Sequence, residues 1–69
     1  MEVLKVNGDE KEFPQGVPRT LGKLLDELKV ESAMVAAEID GQIIERGRFA
    51  RTSLHSGQSI ELVRFVPGG

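Results

Sequence analysis

Four groups of residues have types and spacing suited to chemistry. His55 stands among Ser53, Ser56 and Ser59, the residue types from which a nucleophile and its base are built. The Ser56-Gly57 turn signal in the same stretch offers a plainer account, with the hydroxyls serving a turn. Asp9, Glu10 and Glu12 lie around a short hairpin pattern and read as a solvated strand edge rather than a metal loop. Arg46, Arg48, Arg51 and Arg64 make the C-terminal part basic. Residues 42–69 hold four positive and two negative charges, against five positive and nine negative in residues 1–41. That asymmetry is open to three readings: a solvated face, a patch for an acidic partner, or contact with nucleic acid. The fourth group is Pro67-Gly68-Gly69. Glycine lacks a Cβ, so such a tail can thread a channel too narrow for side chains. It can then present the Gly69 carboxylate to an activating site on another protein.

The composition excludes several classes. The chain has 69 residues, no Cys and one His. A disulfide scaffold, a zinc finger and a catalyst or carrier working through its own thiol are therefore ruled out. A domain of this size buries only about 60% of the surface its unfolded chain exposes, so the 39% apolar residues must close a core without a staple. A net charge of −2 argues against a dedicated nucleic-acid binder. No stretch approaches the roughly 20 apolar residues that span a bilayer. Met1 to Val6 lacks the basic start and apolar run of a signal peptide, and the cytoplasm is the expected location. No phosphate-binding glycine loop follows a strand and opens a helix.

The elements that position the tail follow from periodicity. Residues 2–6 read as a strand with Leu4 and Val6 on one face and Lys5 on the other. Asn7-Gly8 suits a tight hairpin turn into a second strand over Lys11-Glu12-Phe13, which Pro14, Gly16 and Pro18 end. Thr20 is a predicted helix N-cap. Leu21, Leu24, Leu25 and Leu28 then form one apolar stripe in a helix from about Leu21 to Lys29. Gly22 weakens its first turn. Met34 to Ile39 is a third strand, Asp40-Gly41 a turn, and Gln42-Ile43-Ile44 a short return strand. The segment from Glu45 to Leu54 is irregular, with a helical turn near Phe49. The last strand, Ser59 to Val66, places Ile60 and Leu62 on one face and Glu61, Val63 and Phe65 on the other.

The order β-β-α-β-β-β gives an α+β domain over residues 1–69. A mixed sheet of four to five strands has its first and last strands central, with the single helix packed on one face. The expected core is Leu4, Val6, Phe13, Leu21, Leu24, Leu25, Leu28, Val35, Ile60 and Leu62. No second helix exists to cover the other face, so Val63 and Phe65 become an apolar docking patch unless a loop shields them. The tail, residues 66–69, is expected to be flexible and launched from a rigid strand.

This pattern resembles the β-grasp, ubiquitin-like sulfur carriers of bacteria and archaea, most closely those of thiamine biosynthesis. The resemblance runs through Val6-Asn7-Gly8, Thr20-Leu21 with Leu24-Leu25 and Leu28, and Ile39-Asp40-Gly41-Gln42-Ile43-Ile44. It continues through Arg46, Phe49-Ala50, Ser56-Gly57-Gln58-Ser59-Ile60-Glu61-Leu62 and Gly68-Gly69. Glu45, Phe49 and Gln58 depart from the family's usual Pro, Trp and Asp. The resemblance implies a protein that is not itself an enzyme and binds no cofactor. A partner adenylating enzyme uses MgATP to activate the Gly69 carboxylate. Sulfur from a donor such as a cysteine desulfurase then makes a thiocarboxylate, which thiazole synthase accepts. Val63, Arg64, Phe65, Val66, Pro67 and Gly68 are the implied partner-binding residues, and the free carrier is expected to be a monomer. The molybdopterin synthase small subunit, tRNA-thiolation carriers, protein modifiers and plain interaction domains share the shape, so the acceptor pathway stays open at this point.

Overall fold

A computed structural model describes residues 1–65 of the chain. Val66, Pro67, Gly68 and Gly69, and with them the tail expected over 66–69, lie outside the described residues. Strands β1 (Glu2–Val6) and β2 (Asp9–Phe13) form a hairpin, followed by helix α1 (Leu21–Leu28). Strands β3 (Val35–Ile39) and β4 (Gln42–Ile44) form a second hairpin, and β5 (Ser59–Arg64) comes last. Short 3-10 segments cover Ser32–Met34 and Arg46–Arg51. The strand order is β2-β1-β5-β3-β4, with β5 at the centre. β1 and β5 run parallel while the other pairs are antiparallel, which makes the sheet mixed. This is the expected β-grasp arrangement, with five strands.

Both hairpins turn on two residues with positive φ. Asn7 and Gly8 have φ of 50° and 85°, and Asp40 and Gly41 have 49° and 84°. Two-residue loops of this hand match the right-handed twist of the flanking strands, and Asn or Asp before Gly is the pair that accepts the geometry.

Thr20 caps α1 as its type predicts, its Oγ1 accepting from the Lys23 N–H at 3.2 Å. The helix ends at Leu28 rather than Lys29. Lys29 adopts the left-handed conformation, φ 59°. Its N–H donates to Asp26, and the Val30 N–H donates to Leu25, a pairing that closes helix ends and usually employs glycine. The third strand likewise begins one residue late, because Met34 belongs to the 3-10 turn whose N–H bonds the Glu31 carbonyl.

Leu4, Leu21, Leu24 and Ile60 are fully buried, with Leu25 and Val35 nearly so. Three expected core residues, Phe13, Leu28 and Leu62, are only half buried and pack at the margin. Phe13 and Leu28 are the last residues of their elements. Phe49 and Leu54 take their place, together with Ala37 and Ile39. The segment that lacks periodicity therefore lies against α1. The Leu21 N–H donates to Thr52 and the Leu54 N–H to Arg19, which ties this segment to the start of the helix. Gly22 has a packing reason: a Cβ there would stand 3.3 Å from the Ala50 Cα.

Candidate functional site

The His55 and serine cluster is turn structure. Ser56 Oγ accepts from the Val3 N–H at 3.0 Å, and the Gln58 side chain accepts from the His55 N–H at 2.7 Å. Gln58, a departure from the family pattern, thus closes the turn that aligns β5 beside β1. Asp9, Glu10 and Glu12 are exposed on β2, an edge strand. Among the described residues, no group of three or more His, Asp or Glu is placed to hold a metal ion. No described helix is long and apolar enough to cross a membrane.

The remaining candidate is β5. Its backbone is held from both sides. The Asn7 N–H donates to the Ile60 carbonyl at 2.8 Å, and the Lys5 N–H to the Gln58 carbonyl at 3.0 Å. On the other side the Asp40 N–H donates to Ser59, and the Phe65 N–H donates to Met34, both at 2.8 Å. The two hairpin turns add a side-chain oxygen each. Asn7 Oδ1 accepts from the Leu62 N–H at 2.7 Å, and Asp40 Oδ1 from the Ser59 N–H at 2.9 Å. The residues that make the tight turns are thus also the clamps on the central strand. Sequence patterning indicates the turns but not this second use, which depends on which strand lies alongside.

The same strand presents an apolar surface. Ile60 is fully buried beneath α1, while Val63 and Phe65 on the opposite face are 58% and 47% exposed. Val63 pairs with Ala36 across β3, so no bulky neighbour shields it. One feature of this face was not legible as part of the patch. Ile43, 75% exposed, pairs with Glu38, and Glu38 pairs in turn with Glu61. Its strand neighbour Ile44 is half buried, and that inside-outside alternation was the available signal. Arg64 is exposed at the end of β5. Arg46 donates from Nη2 to the Ala33 carbonyl at 3.2 Å. It thereby braces the turn whose next carbonyl holds Phe65. The expected Val63, Arg64 and Phe65 are brought together on an anchored strand. Val66, Pro67, Gly68 and Gly69 are outside the described residues.

Comparisons with known proteins agree with this arrangement. The ThiS family model matches residues 3–69. The crystal structure of the thiamine biosynthesis protein (ThiS) from Geobacter metallireducens superposes with a TM-score of 0.82 at 31% identity, over 97% of this chain and 99% of that one. A solution structure of a thiamine biosynthesis protein from the same organism gives 0.78 at 31% identity, over 100% of this chain and 88% of the other. A thiazole synthase of Paramagnetospirillum magneticum is 35% identical over 66 residues, which is 96% of this chain and 20% of that protein. The chain thus spans about a fifth of the length of that curated relative. By sequence and by fold, the chain belongs to the ThiS family of ubiquitin-like sulfur carriers of thiamine biosynthesis.

Proposed function

We propose that this chain carries sulfur as a thiocarboxylate at Gly69 and delivers it to thiazole formation. The observation that carries the reading is the junction at β5. A central strand fixed on both sides as far as Leu62, and on the β3 side as far as Phe65, exposes Val63 and Phe65 just before Pro67-Gly68-Gly69. A rigid strand with an apolar patch can seat on a partner while the following glycines reach into it. Partner sites are commonly apolar at their centre.

The carrier supplies no catalytic side chain in this scheme. An adenylating enzyme binds MgATP, and the Gly69 carboxylate oxygen attacks the α-phosphorus as pyrophosphate leaves. A persulfide sulfur on a donor, such as one charged by a cysteine desulfurase, attacks the activated acyl carbon and AMP leaves. Cleavage of the resulting S–S bond by a thiol releases the thiocarboxylate. The sulfur rides on the chain end, which suits a sequence without cysteine. Thiazole synthase is the proposed acceptor, consistent with the name of the relative that shares this segment. The cytoplasm, where MgATP is available, is the proposed compartment.

Reconstitution tests the acceptor. Carrier already bearing the thiocarboxylate, incubated with thiazole synthase and its small-molecule substrates, should give thiazole and return the carboxylate form. If thiazole synthase leaves the thiocarboxylate intact while a molybdopterin synthase large subunit consumes it, the acceptor assignment is wrong.

A further inference from the structure

The two edges of β5 differ beyond Ile60. Odd-numbered residues turn their backbone groups to β3: the Ser59 carbonyl accepts from Asp40, and the Phe65 N–H donates to Met34. Even-numbered residues turn theirs to β1, where the Gln58 and Ile60 carbonyls accept from Lys5 and Asn7. β1 stops at Val6, and its pairing with β5 ends at Val6 and Ile60. The next rung is a side chain, with the Leu62 N–H on Asn7 Oδ1. Beyond it the chain turns away through Gly8 into β2. The Leu62 carbonyl and the N–H and carbonyl of Arg64 therefore face a side with no strand beside them among the described residues. The opposite edge of the same residues stays fixed to β3, whose register runs to Arg64. An open edge held in extended geometry is a template for pairing with another chain.

We propose that this half-edge, Leu62–Arg64, accepts an extended backbone segment of the enzyme that activates the chain end. The proposal rests on the carrier reading above. One N–H of the added strand donates to the Leu62 carbonyl, and one of its carbonyls accepts from the Arg64 N–H, as in strand-addition complexes. Asn7 ends the internal ladder and so fixes where the external one begins. Main-chain bonds at this point set the direction and register of the strand that leads to Gly68-Gly69. A second copy of the chain is a poor occupant. The Leu62 N–H is taken, so the self-complementary pair left on this edge is Arg64 with Arg64, which sets like charges directly opposite.

The test uses the full chain with its adenylating enzyme and MgATP. In the free carrier the Arg64 amide should exchange with solvent faster than those of Leu62 and Phe65. Bound enzyme should slow it by at least about tenfold. Arg64→Pro removes this N–H and leaves the ladder to β3 intact, because that ladder uses odd-numbered residues. Arg64→Ala removes only the side chain. Arg64→Pro should bind the enzyme at least about fivefold more weakly than Arg64→Ala, the scale of one lost backbone hydrogen bond, with similar melting temperatures. Equal affinities, or an Arg64 amide unprotected in the complex, overturn the proposal. If Arg64→Pro does not fold, protection of the unsubstituted chain decides. Protection that appears without enzyme and rises with carrier concentration identifies a second copy and also overturns it. The intact mass of the same sample, with a sulfur donor added, separates the two readings. Sulfur gain with an unprotected Arg64 sinks the edge alone, whereas no sulfur gain takes down the carrier reading and the edge with it.

Discussion

β5 meets two different environments within six residues. Under α1, Ile60 is fully buried in a layer with Leu4, Leu24 and Leu25. On the opposite face, Val63 and Phe65 remain exposed, with Ile43 and the facing pair Glu38 and Glu61 nearby. The helix-side layer is closed by other elements except at its margin, where Phe13, Leu28 and Leu62 are half buried. The open face has similar residues and no cover among the described residues, and its paired glutamates are unfavourable neighbours. Burial on one face supplies the stability of a domain with no disulfide. The other face is free to be arranged for a partner, so substitutions on the two faces should separate folding from recognition.

The largest effect on folding is expected under the helix. Leu25→Ala removes a side chain that is 1% exposed and should cost about 2–5 kcal/mol, a large share of the stability of so small a domain. Urea midpoints test this, and a midpoint shift of surface-substitution size would break the division between the two faces. Phe65→Asp should do the reverse. Its melting temperature should change little, because Phe65 is 47% exposed. Binding to the adenylating enzyme should fall by about tenfold or more, since a charge then enters an apolar contact. Unchanged affinity with an unchanged fold would remove Phe65 from the patch.

Asn7→Gly sharpens the comparison, because it keeps the positive φ of the turn and deletes only the clamp on Leu62. It should cost about 1 kcal/mol and speed exchange of the Leu62 amide, while Ile60 keeps its protection. Lys29→Gly should stabilise by roughly 1 kcal/mol, since Lys29 holds a left-handed conformation that disfavours a Cβ. Urea midpoints report both, and Lys29→Gly should leave partner binding unaltered. Arg64→Glu is expected to have the smallest effect on the fold. It should slow association with the adenylating enzyme and change its salt dependence, as rim charges do, which stopped-flow kinetics at two salt concentrations would report.

The sequence made some of these features readable and hid others for physical reasons. The leucine stripe and both Asn/Asp-Gly turns are local signals, and they describe α1 and the two hairpins correctly. The alternation of β5 correctly separates Ile60 from Val63 and Phe65. Phe49 and Leu54 were missed as core because 3-10 segments and loops bury residues without a repeating period. Phe13, Leu28 and Leu62 were assigned to the core by facing the right way, yet position along an element decides how much layer covers them. The clamps by Asn7 and Asp40 require knowledge that β5 inserts between the hairpins, a long-range pairing that no local pattern encodes. Gly22 reads as a helix weakness and proves to be a point of close approach to Ala50.

The central claim is that the sulfur is carried at Gly69. Intact-protein mass spectrometry after incubation with the adenylating enzyme, MgATP and a sulfur donor tests it most directly. The account predicts a gain of about 16 Da as sulfur replaces one carboxylate oxygen. The gain should be absent when Gly69 is deleted or when one residue is added after it. Gly68→Val should reduce it by crowding the approach and restricting φ. A Gly69 deletion variant that still gains sulfur would contradict the account.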